Sequence, residues 1–400
     1  MPVPDEAWRS VAAHCRPTTP LLRSLEQALG HVLADPVCAD RDLPPRDRSA
    51  MDGFAFCAQN GTGALPVVGE LPAGVAFAGV VAPGTCVRIF TGANLPPGVD
   101  TVAMLEDVQR LRDGRVQVPL LARGTNVLRR GEDAHAGEIL LPAGVRLNAA
   151  RLAVCAAVGA GQVLVHQRPR VAVVTTGREL LAPDERPAPH QIRDSNSTLL
   201  TAALTTEQFS LVAALRAADD RDEVTRQIQK ALSFADVVIV SGGVSVGDYD
   251  FVPAAVRAVG GQIVVHKVAM KPGKPFLFAQ RESEQLIFGL PGHPLATLTG
   301  LHEFVLPALR RLAGTPLDEC RPQWMVRLHS ALHSKGGRHR YHLARLLWTA
   351  SGPTVEPLDS QSSADLVAGG RADGAIVVPP DVQTLAPGSL VPFRPWRGIA

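Results

Sequence analysis

From Pro169 to Leu312 short apolar runs alternate with segments of helical period, and no other feature of the sequence restricts the fold as much. The runs Arg170 to Thr176, Ser210 to Arg216, Asp236 to Ser241, Gln262 to Val268, Phe276 to Phe278 and Leu286 to Gly289 have the length and composition of strands. Between or after them, Ser197 to Gln208, Asp222 to Leu232, Pro253 to Val259 and Pro294 to Leu312 carry helical spacing. A strand followed by a helix must cross over to reach its parallel neighbour, so the pattern predicts a mostly parallel sheet covered on both faces.

The flanks have different textures. From Trp8 to Asp35 apolar positions recur at helical spacing, until Pro36, Pro44 and Pro45 break it. Between Asp52 and Leu141 short β-prone runs are separated by Gly and Pro, which predicts a small inserted β module. Ala149 to Ala160 is helix-prone again and is expected to pack on the first helical stretch, making the N-terminal region discontinuous. Beyond Pro316 the runs MVRLHSALH, YHLARLLWT, TVEPL and GAIVVPP predict a terminal β-barrel or sandwich. A chain of 400 residues is too long for one ordinary core, so several modules are expected on length alone.

Composition excludes some functions. The net charge is +2 with basic residues scattered among acids, which argues against nucleic acid as the main partner because counterion release needs a clustered basic surface. MPVPDEAWRS lacks a basic segment followed by an apolar core, and no apolar run approaches the roughly 20 residues of a membrane helix. A cytoplasmic protein with no membrane partner is expected. The cysteines Cys15, Cys38, Cys57, Cys86, Cys155 and Cys320 lie far apart with no CxxC pair, and are read as core thiols.

Ligands of open α/β sheets bind beyond the carboxyl ends of the strands. Four such ends carry unusual residues: TTGREL, SGGVSVGDYD, KPGKP and GLPGHP. Gly242, Gly243 and Gly247 allow backbone amides to approach an anion, and Ser241 and Ser245 offer hydroxyls, which suggests a phosphate cradle. Asp248 and Asp250 either cap the helix that begins near Pro253 or face a cation beside the phosphate, magnesium being the economical one. Lys271 and Lys274 sit on a proline-flanked turn that either is simply solvated or directs two ammonium groups into the crevice. Pro291, Gly292 and His293 precede a helix whose N-terminal amides can bind an anion. Glu179 is a base, a metal ligand or a first-turn glutamate. Outside this region Asp52–Gly53 reads as a turn signal, in a stretch, DRSAMDGFAF, that stands out.

Taken in order, SAMDGFA, RIFTGA, GEDAHAGEILLPAG, TTGREL, QIRDSN, SGGVSVGDYD, KPGKP and GLPGHP closely resemble the molybdopterin molybdenumtransferase family, MoeA and the gephyrin E domain, from about residue 5 to 395. The resemblance implies a multidomain α/β and β protein. Its parts would be a discontinuous elongated domain I (1–45 and 142–168), an inserted β-rich domain II (46–141), a MogA/MoaB-like α/β domain III with a mostly parallel sheet (169–316) and a C-terminal β-barrel domain IV (317–400). It implies a homodimer with the active site between subunits, and a MogA-like adenylyltransferase upstream. The implied reaction inserts molybdate into adenylylated molybdopterin and releases AMP, with Mg2+ assisting.

Carried over position by position, the family's functional residues fall on Asp52, Thr91, Asp133, Glu179, Asp219, Asp250, Lys267, Lys271 and Ser363. The resemblance assigns Lys267, Lys271, Lys274 and the Ser241 to Gly247 loop to phosphate and pterin, and Asp219, Asp250 and Glu179 to the metal. The resemblance puts Asp52 with Asp133 on the partner-subunit side, counts both with Thr91, Glu179 and Asp250 as catalytic, and gives Ser363, Arg338 and Arg340 to oxyanion contact from domain IV. The chain departs from the family at Arg178 (usually Asp), His293 and Arg48 (usually Asn), Arg193 (usually aromatic) and Asn94 (usually Pro). A catalytically weak molybdopterin-binding or scaffold protein, and a nucleotide-processing hydrolase of the same fold, are the alternatives.

Overall fold

The structure, a computed structural model, describes residues 1–60, 63–244 and 251–396. Its centre is a six-stranded sheet. In chain order its elements are β1 (Arg170–Thr176), α1 (Ser195–Thr206), β2 (Ser210–Ala217), α2 (Arg221–Leu232), β3 (Val237–Ser241), α3 (Val252–Ala258), β4 (Gly261–His266), β5 (Leu277–Arg281), β6 (Leu286–Leu290), α4 (Pro294–Gly300) and α5 (Leu306–Leu312). The strand order is β2-β1-β3-β6-β5-β4. β1, β2, β3 and β6 pair in parallel, while β5 and β4 add antiparallel at the far edge.

Alternate side chains of a strand point to opposite faces, and a sheet covered on both sides needs both sets apolar. Val171, Val173, Val237, Ile239 and Phe288 pack against α1, α5 and the π-helical Leu301–Val305. Ala172, Val174, Val238, Val240 and Ile287 pack against α2 and α3. The first helix of the chain, Pro4–Ala12, joins the former core through Ala7, Trp8 and Val11.

The helical spacing between Trp8 and Asp35 does not become one long helix. After Ala12 the chain passes Pro17 and forms a strand, Pro20–Ser24, which pairs with Gln162–His166. Pro17 and Pro20 cannot donate helical hydrogen bonds, and pairing with a distant strand overrides the local pattern. Val37–Cys38 pairs with Ile139–Leu141, so the chain leaves and re-enters this region through two short ladders. Between them lies the β module, whose main sheet has the order Val67–Leu71, Cys86–Ile89, Gly53–Phe56, Thr101–Met104. The helix-prone stretch at 149 forms Ala149–Ala157.

The C-terminal strands close on themselves. His339–Thr349 pairs with Gly352–Pro357 and with Gly374–Val378, and Trp324–Leu328 and Leu390–Pro395 complete the ring. The short strand Met270–Lys271 joins this barrel from outside, Met270 opposite His339 and Lys271 opposite Arg340. Four cysteines are buried as expected, but Cys38, on the outer side of the short strand Val37–Cys38, is exposed, and Cys57, just past the strand Gly53–Phe56, is half-buried. Among the described residues no helix is long and apolar enough to cross a membrane.

Candidate active site

From β1 the chain passes through α1 to β2, and from β2 through α2 to β3 on the other side of β1. The loops after β1 and β3 therefore diverge and frame a crevice at the carboxyl ends of the strands. Of the residues singled out in the sequence, Glu179, Asp219, Ser241, Gly242, Gly243, Pro291, Gly292 and His293 stand on the loops at these strand ends.

The end of β1 fixes two carboxylates. Thr175 Oγ1 donates to Asp194 Oδ2 at 2.7 Å, and Thr176 Oγ1 donates to Asp219 Oδ1 at 2.6 Å. Because consecutive strand residues face opposite ways, one aspartate is held on each side. Asp194 is buried and also caps α1, its Oδ1 accepting from the Ser197 amide at 2.9 Å. Asp219 Oδ2 accepts from the Arg178 amide at 3.3 Å, and the Arg178 guanidinium donates back to the Asp219 carbonyl at 2.9 Å. Glu179, half-buried, folds back over Gly177, where an added Cβ would come within 2.9 Å of its carboxylate oxygens.

Asn196 joins the next two loops. Its Nδ2 donates to Ser241 Oγ at 2.9 Å and to the Gly292 carbonyl at 2.7 Å, tying the end of β3 to the turn after β6. Ser241 is only 2% exposed and donates to the Pro291 carbonyl at 3.4 Å, so its hydroxyl, expected to face a phosphate, is spent inside the protein. The Gly242 amide is likewise taken, by the Leu290 carbonyl at 3.0 Å. Gly242 serves a steric purpose: its φ is +103°, and the Thr176 carbonyl would lie 2.6 Å from a Cβ. Gly243, at φ +62°, continues the turn. Ser245, Gly247, Asp248 and Asp250 lie outside the described residues.

The expected anion site at the N-terminus of α4 is also modified. Pro294 has no N–H, the Leu295 amide donates to the Ser363 carbonyl at 3.0 Å, and the Ala296 and Thr297 amides donate to the His293 carbonyl. Pro291 is buried, and its carbonyl accepts from Thr297 Oγ1 at 2.5 Å. Exposed Gly292 and His293 remain, with His293 Nδ1 2.7 Å from Ser363 Oγ. Two residues expected at the site from separate modules thus meet.

The cations come from a rigid turn. Lys267 has a left-handed φ of +69° and its amide donates to the Phe276 carbonyl at 2.7 Å, while the Lys274 carbonyl accepts from the Val268 and Phe276 amides. Pairing of Lys271 with Arg340 brings the start of the barrel strand His339–Thr349, with half-buried Arg338 just before it, to the same edge. Among the described residues no carboxylate lies within ion-pair distance of Lys267, Lys271, Lys274 or Arg338.

A separate acidic group sits on the β module. Asp52 Oδ1 accepts from both the amide and the hydroxyl of Thr91 at 2.7 Å, and these bonds hold its carboxyl below the usual carboxylate range. Asp133 is exposed, its amide donating to the Leu43 carbonyl at 2.9 Å. No hydrogen bond or ion pair among the described residues joins Asp52, Thr91 or Asp133 to the crevice.

No group of three His, Cys, Asp or Glu residues comes together among the described residues. Asp219 and Glu179 nevertheless stand on neighbouring loops, after β2 and β1, that Arg178 ties together. Two carboxylates suit a magnesium ion that keeps several waters and shares the substrate's phosphates, and they do not suit an all-protein cage.

Sequence reasoning missed the supporting residues Asp194 and Asn196. The signal was present in QIRDSN, where an aspartate precedes a helix start, but a buried amide linking two loops has no local pattern. It also treated Arg48 and Asn94 as separate departures, yet they touch: Arg48 Nε donates to Asn94 Oδ1 at 3.3 Å.

Comparison with known proteins agrees with this arrangement. Three family descriptions match in order: "MoeA N-terminal region (domain I and II)" over residues 3–159, "Probable molybdopterin binding domain" over 172–311, and "MoeA C-terminal region (domain IV)" over 325–396. A molybdopterin molybdenumtransferase of Nostoc sp. is 39% identical over 324 residues, 78% of this chain and 74% of the relative. One of Staphylococcus epidermidis is 32% identical over 378 residues, 92% of this chain and 89% of the relative. The crystal structure of the molybdopterin biosynthesis MoeA protein from Pyrococcus horikosii superposes with a TM-score of 0.81 at 28% identity, covering 99% of both chains.

Proposed function

Because the chain belongs to the molybdopterin molybdenumtransferase (MoeA) family, we propose that its crevice takes adenylylated molybdopterin, inserts molybdate at the dithiolene and releases AMP. The observation that carries this reading is the set of cations Lys267, Lys271, Lys274 and Arg338, gathered from two modules and without a carboxylate partner among the described residues. A substrate with several negative charges supplies what those cations lack.

In this reading Lys267, Lys271 and Lys274 hold the phosphates, and Gly243 lets the backbone approach them. Gly292, His293, Ser363 and Arg340 receive the oxyanion end from the barrel side. Ser241, Gly242 and Pro291 are assigned to the frame, where their polar groups are already bonded. Magnesium, when bound, would be held by Asp219 and Glu179 with Asp250, and would supply neutralisation of the phosphoryl charge as AMP departs. Glu179, whose carboxylate is not tied to a neighbour among the described residues, is suited to order the attacking group at the phosphoanhydride. Asp194 and Asn196 keep the strand ends in register, so the donors need little reorganisation when charge develops.

Among the described residues Asp52, Thr91 and Asp133 make no bond to the crevice, which supports a homodimer in which the β module of one subunit completes the site of the other; a cytoplasmic location belongs to the same proposal. The division into four domains and the dependence on an upstream MogA-like adenylyltransferase belong to the same proposal. Purified protein incubated with adenylylated molybdopterin, molybdate and Mg2+ should release AMP in proportion to molybdenum cofactor formed. Absence of AMP release in that mixture overturns the proposal.

A further inference from the structure

We propose that Arg178 contacts the phosphoryl groups of the substrate directly and gives this crevice phosphate affinity with little dependence on a divalent cation; the inference rests on the functional reading above. Arg178 is joined to Asp219 at two points, through its amide to Oδ2 at 3.3 Å and through its guanidinium to the carbonyl at 2.9 Å. Only this one guanidinium bond is made among the described residues, and no carboxylate lies within ion-pair distance, although Glu179 is the adjacent residue. The side chain is exposed just beyond the carboxyl end of β1, on the side of the sheet where ligands of such folds bind.

Charge separates two modes of binding. With an aspartate at 178, as the family resemblance leads one to expect, the side chains of 178, 179 and 219 would all be acidic, and a phosphate could approach only with a metal ion between. With Arg178 the same three side chains carry a single net negative charge, and a fixed cation is already in place. A guanidinium held at one corner keeps its remaining N–H groups in a planar fork that matches two phosphate oxygens, so less freedom is lost on binding. Asp219 is itself restrained by Thr176 and by the Arg178 amide, which keeps its carboxylate from swinging onto the guanidinium.

Titration calorimetry of the full chain with pyrophosphate and with AMP, each in EDTA and in Mg2+, tests this. The natural protein should bind in EDTA, with Mg2+ improving affinity by no more than about threefold. Arg178→Asp should weaken binding in EDTA by at least about tenfold, the loss of one charge-assisted contact, and Mg2+ should restore most of it. Arg178→Gln, which keeps a polar side chain and is expected to melt at the same temperature, should lose affinity in EDTA without gaining the metal dependence. Absence of binding in EDTA by the natural protein, or unchanged EDTA binding in both variants, overturns the assignment. Binding that is Arg178-dependent and resists EDTA, in a preparation that releases no AMP from adenylylated molybdopterin, upholds Arg178 and overturns the functional reading instead.

Discussion

At the level of single residues, Asp52 shows how a short motif conceals its reason. Asp52–Gly53 reads as a turn signal, but Gly53 is required because the Ala103 carbonyl would lie 1.9 Å from a Cβ. No pattern within DRSAMDGFAF reports an approach from a strand fifty residues away. Asp52 is then held by Thr91, whose amide and hydroxyl both lower its carboxyl pKa. A carboxyl whose folded pKa is depressed contributes stability above its unfolded value, and the contribution is lost as pH falls through the folded one. Thr91→Val removes the hydroxyl and keeps the amide, so the Asp52 pKa should rise part of the way to the ordinary value of about 3.9. A carbon-detected NMR titration of the aspartate carboxyls would measure this, and an unmoved Asp52 would assign the depression to something other than Thr91.

Among the elements, β1, β3 and β6 were legible to within a residue, since a strand buried on both faces has to be continuously apolar, whereas the expected strand Phe276 to Phe278 covers only the start of β5, Leu277–Arg281. The segment from Pro294 to Leu312 was legible only as one helix. It contains a π-helical stretch, Leu301–Val305, that places Glu303 at 1% exposure. Glu303 accepts from the Tyr341 hydroxyl at 3.0 Å and lies 3.2 Å from Arg394 Nε and 3.6 Å from Arg321 Nη1. An acid in a helical pattern normally reads as solvent-exposed, and here its partners come from the barrel, which no local rule reveals. Glu303→Ala would leave the buried Arg394 guanidinium without its carboxylate, Arg321 keeping only exposed Asp5, and should destabilise the protein by roughly 3–5 kcal/mol. Urea unfolding would show the change, and a loss below about 1 kcal/mol, the range of exposed pairs, would mean the cluster is far more hydrated than its burial implies.

For the whole molecule, the joint between sheet and barrel decides both stability and site. The His302 ring stacks on Trp396 near the end of the barrel, at 5.6 Å between centroids, and burial pushes its pKa down to about 3. Between about pH 6.5, the ordinary histidine value, and that lowered value, the unfolded chain binds a proton that the folded one does not. Stability therefore rises with pH across this window. The melting temperature of the natural protein should fall on acidification from pH 7 to 4.5, and His302→Gln should flatten that dependence. An identical pH profile in the variant would place the proton uptake elsewhere.

The amino-acid sequence alone determined the parallel sheet, the inserted β module and the C-terminal β architecture, because periodicity and chain punctuation are local consequences of burial. It also placed Glu179, Lys271 and Lys274 at strand ends, and the family resemblance added Asp219 and Lys267. Only the tertiary structure decided which polar groups remain for a ligand. Ser241, Gly242 and the first amides of α4 are bonded within the protein, whereas Lys267, Lys271 and Lys274 are not paired among the described residues. Whether a hydroxyl or amide is free depends on what lies opposite it, and the partners, Asn196, Leu290 and Ser363, are brought there by strand order and by the docking of the barrel.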